Sequence, residues 1–173
     1  MNNSKKIIIF SASEVKNLEL AESFKKSLED QNAEATIINL VDLELPLYSS
    51  RTESLYKGEE LLSKQLPLIS QAQAFIFIAP EYNGSTPPVF NNFLAWLSRS
   101  SKDWRAYLNG KPAAIATFSG GGGFNVLLAM RTQLAFIGMN VLGRQILTHS
   151  NKVLDEKSLL SISQELVSIG SMR

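Results

Sequence analysis

Apolar residues along this chain follow two rhythms, short unbroken runs and longer stretches at helical spacing, and the two alternate from end to end. Lys5-Lys6-Ile7-Ile8-Ile9-Phe10 opens as a buried strand, because an apolar run without polar alternation needs cover on both faces. Beyond the short loop Ser11-Ala12-Ser13-Glu14, Leu20, Ala21, Phe24 and Leu28 recur at helical spacing and predict a helix from Lys16 to Asp30. Ala35 to Leu40 is the second strand, and Val41 to Gly58 a polar connection. A second helix runs from Gly58 towards Gln71, where Pro67 kinks or ends it. Ala74 to Ile78 is the third strand. A loop rich in Pro, Asn, Gly, Ser and Thr follows it, and Pro87 and Pro88 suit the first turn of a third helix. The Asn109-Gly110 turn announces strand Lys111–Phe118, and the glycine loop Ser119 to Gly123 leads into a helix from Phe124 to Ile137 that Gly138 can cap. Asn140 to Ile146 is the fifth strand, and from Asp155 on Leu159, Ile162, Leu166 and Ile169 form the seam of a last helix.

Five strands alternating with five helices predict one α/β domain over residues 1–173. Right-handed crossovers make the five-stranded sheet parallel and cover both of its faces. The strand order 2-1-3-4-5 then gives a flavodoxin-like three-layer sandwich. In that order the loops after strands one, three and four emerge side by side at a topological switch point, which is where open α/β sheets bind ligands. The third helix carries two apolar rows, Phe90, Leu94 and Leu97 beside Val89, Phe93 and Trp96, more than one buried stripe requires. Two readings account for the second row. Either a second copy of the chain packs there, making a homodimer or homotetramer through the 87–98 helix, or the connection at 41–57 covers it.

Composition narrows the chemistry. The 173 residues are 45% apolar and 19% charged, as in an ordinary globular protein. A net charge of +1 gives no electrostatic footprint for nucleic acid or an anionic membrane, and no apolar run approaches the roughly 20 residues of a membrane span. The polar start and the short run Ile7 to Phe10 make no signal-peptide core, and the expected location is the cytoplasm. Without cysteine there is no disulfide, thiolate nucleophile or Cys-bound metal; the single histidine, His149, is read as a surface or packing residue, and no metal site is expected.

The three loops differ in kind. The first leads into a helix N-terminus, which offers N–H donors and a positive dipole end to an anion, with Ser11, Ser13, Lys16 and Asn17 as polar neighbours. Equally, Ser13 can be the N-cap of that helix. Ser119-Gly120-Gly121-Gly122-Gly123 can bring backbone amides against a flat ligand, or can be a flexible turn; its place between a buried strand and a helix favours the ligand. There is no phosphate-binding G-x-x-x-x-G-K-[ST], and Asn125 stands where the last glycine of G-x-G-x-x-G belongs. Glu14 and Glu81 are the only carboxylates in the three loops, so no acid–base pair presents itself, no residue is assigned a catalytic role, and a bound cofactor is expected to carry the reaction. Arg99, Lys102 and Arg105 are read as a solvated basic turn rather than a contact for a nucleotide 2′-phosphate.

Pro80-Glu81-Tyr82-Asn83-Gly84-Ser85-Thr86-Pro87, with Asn92 and Trp96 beyond it, resembles the P-E-Y-N-x-S-x-P…N…W signature of the NADPH-dependent FMN reductases, a family that includes quinone, chromate and azo-dye reductases. Asp42-Leu43 with Leu45-Pro46-Leu47-Tyr48, and Arg131-Thr132-Gln133-Leu134 with Gly138-Met139-Asn140, resemble further stretches of that family, and the likeness runs over residues 5 to 148. The resemblance implies a flavodoxin-like homodimer or homotetramer that binds FMN, takes hydride from NAD(P)H and reduces a small-molecule acceptor such as a quinone. It implies that Pro80, Glu81, Tyr82, Asn83 and Gly84 lie against the flavin ring, with Ser119, Gly120 and Gly121 beside it, and that Ser11, Ser13, Lys16 and Asn17 serve the phosphate. One departure stands out: the family's first loop reads G-S-x-R-x-x-S-x-N, whereas Ser11-Ala12-Ser13-Glu14-Val15-Lys16-Asn17 has no arginine, has Val15 for the second serine and adds Glu14. Charge-assisted bonds are worth roughly 1.5–3 kcal/mol each, so weaker FMN binding is expected, and a flavin-free binding protein is the alternative reading.

Overall fold

A computed structural model describes residues 4–169; residues 1–3 and 170–173, the ends of the expected domain, lie outside the described residues. Its strands are β1 (Lys6–Ser11), β2 (Glu34–Asn39), β3 (Ala74–Ile78), β4 (Pro112–Phe118), β5 (Asn140–Val141) and β6 (Ile146–Thr148). The helices are α1 (Lys16–Glu29), α2 (Ser50–Leu55), α3 (Gly58–Leu61), α4 (Leu66–Gln71), α5 (Pro88–Leu97), α6 (Phe124–Phe136) and α7 (Glu156–Ile169), with a 3-10 turn at Trp104–Tyr107.

The sheet is parallel in the order β2-β1-β3-β4-β5, with β6 also paired to β4, so the flavodoxin-like reading of the sequence holds. Alternation along each strand divides the core. Ile7, Ile9, Ile76 and Ile78 face α1 and α7, while Ile8, Phe10, Phe75 and Phe77 face α4, α5 and α6. On that second face Phe10 lies 5.1 Å from Phe77 and 4.9 Å from Phe93, ring centre to ring centre, pinning α5 to the middle of the sheet. Among the described residues, no helix is long and apolar enough to cross a membrane.

Three expectations need correction. The fifth strand is broken: Asn140–Val141 pairs with the start of β4 and Ile146–Thr148 with its end. Arg131 holds the break open, its guanidinium donating to the carbonyls of Val141 and Leu142 and to Gln145 Oε1. The polar connection contains α2, started by a reciprocal cap in which Ser49 Oγ accepts from Thr52 N and Thr52 Oγ1 accepts from Ser49 N. The expected second helix is two short ones, and Pro67 sits in the first turn of the later one.

The second apolar row of α5 is covered by the chain itself. Trp96 is fully buried; its Nε1 donates to Pro46 O at 2.6 Å and Tyr48 packs edge-on against its ring at 5.1 Å. Asn92 Oδ1 accepts from Tyr48 N, and its Nδ2 donates to Leu45 O and Pro46 O. The connection is held at its far end by Glu53, which takes hydrogen bonds from Tyr48 and Arg99 that hold its carboxyl below the usual carboxylate range. Of the two readings of this row, the loop at 41–57 is the one realised.

Candidate functional site

The loops after β1, β3 and β4 emerge at one edge and are bonded to one another. Ala12 N donates to Ile78 O at 2.8 Å and Ala79 N to Ala116 O at 3.2 Å, so the sheet register continues one residue into the loops. Asn17, in the first turn of α1 and 3% exposed, fixes the next level. Its Oδ1 accepts from Phe118 N at 2.8 Å, and its Nδ2 donates to Phe118 O and to Ser13 Oγ, both at 3.0 Å. The amide of Asn17 is thereby committed to joining the first loop to the fourth strand. Asn17→Ala leaves both polar groups of the Phe118 backbone unpaired and is expected to cost about 1–3 kcal/mol, read as a lower urea midpoint.

Ser11 is fully buried and its hydroxyl donates to Ser13 O at 2.7 Å. The N-cap of α1 is Val15, not Ser13, and no side-chain hydrogen bond caps the helix. The first-turn amides of a 14-residue helix are therefore left without a side-chain acceptor, the arrangement that receives an anion. Val15 has φ 52° and ψ −108°, a region that β-branched residues rarely enter, at a cost of order 1–3 kcal/mol. Lys16 turns along the helix to pair with Glu19 at 2.7 Å.

The loop after β3 is a small preformed hairpin. Tyr82 N donates to Ser85 O at 2.9 Å and Ser85 N to Tyr82 O at 3.0 Å, while Asn83 and Gly84 occupy the left-handed region with φ 51° and 72°. Two such residues make a type I′ turn, which explains the Asn-Gly pair. Tyr82 stands half-exposed at the rim.

Glu81 clamps this hairpin to the glycine loop. Its backbone N donates to Ser119 Oγ at 2.8 Å, and its Oε2 accepts from Val126 N at 3.1 Å. The N-cap of α6, Gly123, has no side chain to offer, so Glu81 caps that helix and meets its positive dipole end. Ser119 Oγ also bonds Thr117 Oγ1 at 2.9 Å, and Ser119 N donates to Thr148 O at 3.1 Å. Thr117 escaped the sequence reading; a lone hydroxyl in the apolar run 113–118 was its signal. Between these clamps Gly120, Gly121 and Gly122 face open space, and a Cβ built on any of them meets nothing within 4 Å.

Arg99 pairs with Glu53 and Arg105 stacks on Trp104, both near the C-terminal end of α5 and away from these loops. Lys5 and Lys111, whose amines burial pushes down, precede β1 and β4 and so lie at the opposite edge.

A family model described as NADPH-dependent FMN reductase matches residues 5–152. An NADPH azoreductase of Bacillus sp. (strain OY1-2) is 30% identical over 132 residues, 75% of this chain and 69% of its own. A quinone reductase of Escherichia coli (strain K12) is 28% identical over 142 residues, 73% of this chain and 72% of its own. Among solved structures, the flavoenzyme NAD(P)H:(acceptor) oxidoreductase FerB of Paracoccus denitrificans superposes with a TM-score of 0.74 at 22% identity, covering 96% of this chain and 97% of that one, a likeness of fold.

Proposed function

The chain belongs to the NADPH-dependent FMN reductase family, and from that premise we propose that it passes reducing equivalents from NAD(P)H, by way of FMN held between its three loops, to a quinone, a flavin or a similar small acceptor. That it is an NAD(P)H-dependent oxidoreductase with FMN as cofactor follows from the family and from its azoreductase and quinone reductase relatives. The observation that carries the site is the open glycine floor at Gly120–Gly122 between two clamped loops. With no side chains in this cradle, backbone amides can come against a planar ring, which supports placing the flavin over them. The flavin supplies the redox chemistry itself, taking up hydride and giving electrons to the acceptor.

The protein's share is placement. Backbone groups of Pro80–Gly84 and Ser119–Gly121 would meet the ring, and Tyr82 would screen it from water. Glu81 holds the two loops at a fixed separation through Ser119 and Val126. The uncapped start of α1, with Ser13 and Lys16, would take the phosphate, while Ser11 and Asn17 shape that loop from inside. The purified protein is expected to turn yellow with FMN and to oxidise NADPH faster when a quinone is added. A protein that stays colourless and ignores added FMN overturns the reading.

We read the functional unit as one flavodoxin-like domain over 1–173, working in the cytoplasm as a homodimer or homotetramer. With the second row of α5 covered, the support for a subunit contact shifts to its neighbour. Phe124, Leu128 and Ala135 of α6 are exposed along one side of that helix, an apolar stripe that a second copy could cover. Leu128→Glu is expected to convert the assembly to monomer in sedimentation; a native protein that is already monomeric at micromolar concentration removes the contact.

A further inference from the structure

Beside the cradle, and sharing Lys16 with the phosphate end proposed above, lies a groove of about 510 Å³ set between α1 and the turn ahead of α7. We propose that this groove, lined by Lys16, Leu20, Phe118, His149, Lys152 and Leu154, holds the phosphate-bearing part of a nucleotide. Its volume suits a nucleotide fragment. It opens at the same edge as the three loops, since Phe118 ends β4, Thr148 ends β6 and Lys16 begins α1. The floor joins the cradle directly: Ser119, the first residue of the glycine loop, donates to Thr148 O.

The chemistry of the groove is divided. Leu20, Phe118 and Leu154 give an apolar wall, and Lys16, Ser23, His149, Ser150 and Lys152 a polar and basic one. The single carboxylate in the lining, Glu19, is already paired with Lys16, while Lys152 has no ion-pair partner among the described residues. A backbone pair fixes the basic turn, with His149 N donating to Lys152 O at 3.2 Å and Lys152 N to His149 O at 2.9 Å. Residues paired this way put their side chains on one face. His149 Nδ1 accepts from Asn151 N at 3.3 Å, so the neutral ring carries its proton on Nε2 as a donor. A paired basic turn facing an apolar wall suits an anion attached to a flat or apolar body.

Two sources of that phosphate adjoin the site, the FMN phosphate and the adenylate half of the dinucleotide. If it is the first, Lys152 would supply the positive charge that the arginine-free loop 11–17 lacks. Either rests on the FMN-reductase reading, and the experiment separates the two. Native protein and Lys152→Glu are each titrated with FMN, riboflavin and adenosine 2′,5′-bisphosphate, by flavin fluorescence and by calorimetry. Lys152 is exposed, so the substitution spares the fold. The expected result is a loss of about tenfold or more for one phosphate-bearing probe, with riboflavin unchanged. Loss for FMN assigns the groove to the flavin phosphate; loss for the adenosine bisphosphate assigns it to the dinucleotide. Affinities that do not respond to Lys152, or phosphate-bearing probes that do not bind, overturn the proposal. Adenosine bisphosphate binding that depends on Lys152 would stand even in a protein that never turned yellow, so failure of the flavin reading would be seen separately.

Discussion

Replacing Gly121 with leucine is expected to lower FMN affinity more than about 100-fold while thermal unfolding stays where it is. The asymmetry comes from what the position faces. No atom lies within 4 Å of a Cβ built on Gly121, so the fold has room for a side chain. Its φ also lies outside the left-handed range, so the backbone accepts one. The space the leucine would fill is the cradle assigned to the ring. Forfeiting even part of the ring contact is worth about 2.7 kcal/mol, which is two orders of magnitude in affinity. Gly123 is the internal control. Its φ is 71° and a Cβ there would lie 3.0 Å from Thr117 Cγ2, so Gly123→Ala should lower stability first. If Gly121→Leu bound FMN like the native chain, the ring would have to lie elsewhere.

The sheet and its order were legible because buried parallel strands write themselves as unbroken apolar runs, and Ile7–Phe10, Ala74–Ile78 and Pro112–Phe118 do so. The loops that frame the site were legible for a different reason. Asn83-Gly84 and the run Gly120–Gly123 are compositions that only special backbone geometry requires. What escaped the sequence depends on partners far along the chain. The break after Val141 is held by Arg131 on another element, and its one local signal is Gly143 inside the apolar run. Helix α2 hides in a polar stretch because its cap uses Thr52, where the sequence signature asks for Glu or Gln. Residue type and place mark Asn17 as a ligand contact, and the family resemblance marks Glu81. Their bonds to Phe118, Ser119 and Val126 show the protein using those polar atoms to tie the loops together. The groove escaped entirely, since Lys16 and Lys152 lie at opposite ends of the sequence and only the meeting of α1 with the end of β6 puts them on one lining.

Trp96→Ala is expected to be severely damaging, costing about 3–5 kcal/mol out of the 5–15 typical of a domain of this size. Three losses coincide at that residue. The indole is fully buried, so its removal opens a cavity on the aromatic face of the sheet. One of the two hydrogen bonds to Pro46 O is lost, leaving only that from Asn92, and Tyr48 loses the ring against which it packs edge-on. Trp96→Phe separates these effects. It keeps most of the volume but drops the hydrogen bond; Asn92 Nδ2 still donates to Pro46 O, so the cost should be about 0.5–1.5 kcal/mol. The two variants should also differ in where they open. If the connection at 41–57 is held by Trp96 and Asn92, the phenylalanine variant loosens it before the sheet is affected. Trypsin should then cut faster after Arg51 and Lys57, at denaturant concentrations where the far-ultraviolet signal is unchanged. Equal cutting in native and phenylalanine proteins, with a normal urea midpoint, would mean that the loop holds itself through Asn92 and the Glu53–Arg99 pair, and that Trp96 serves the core alone.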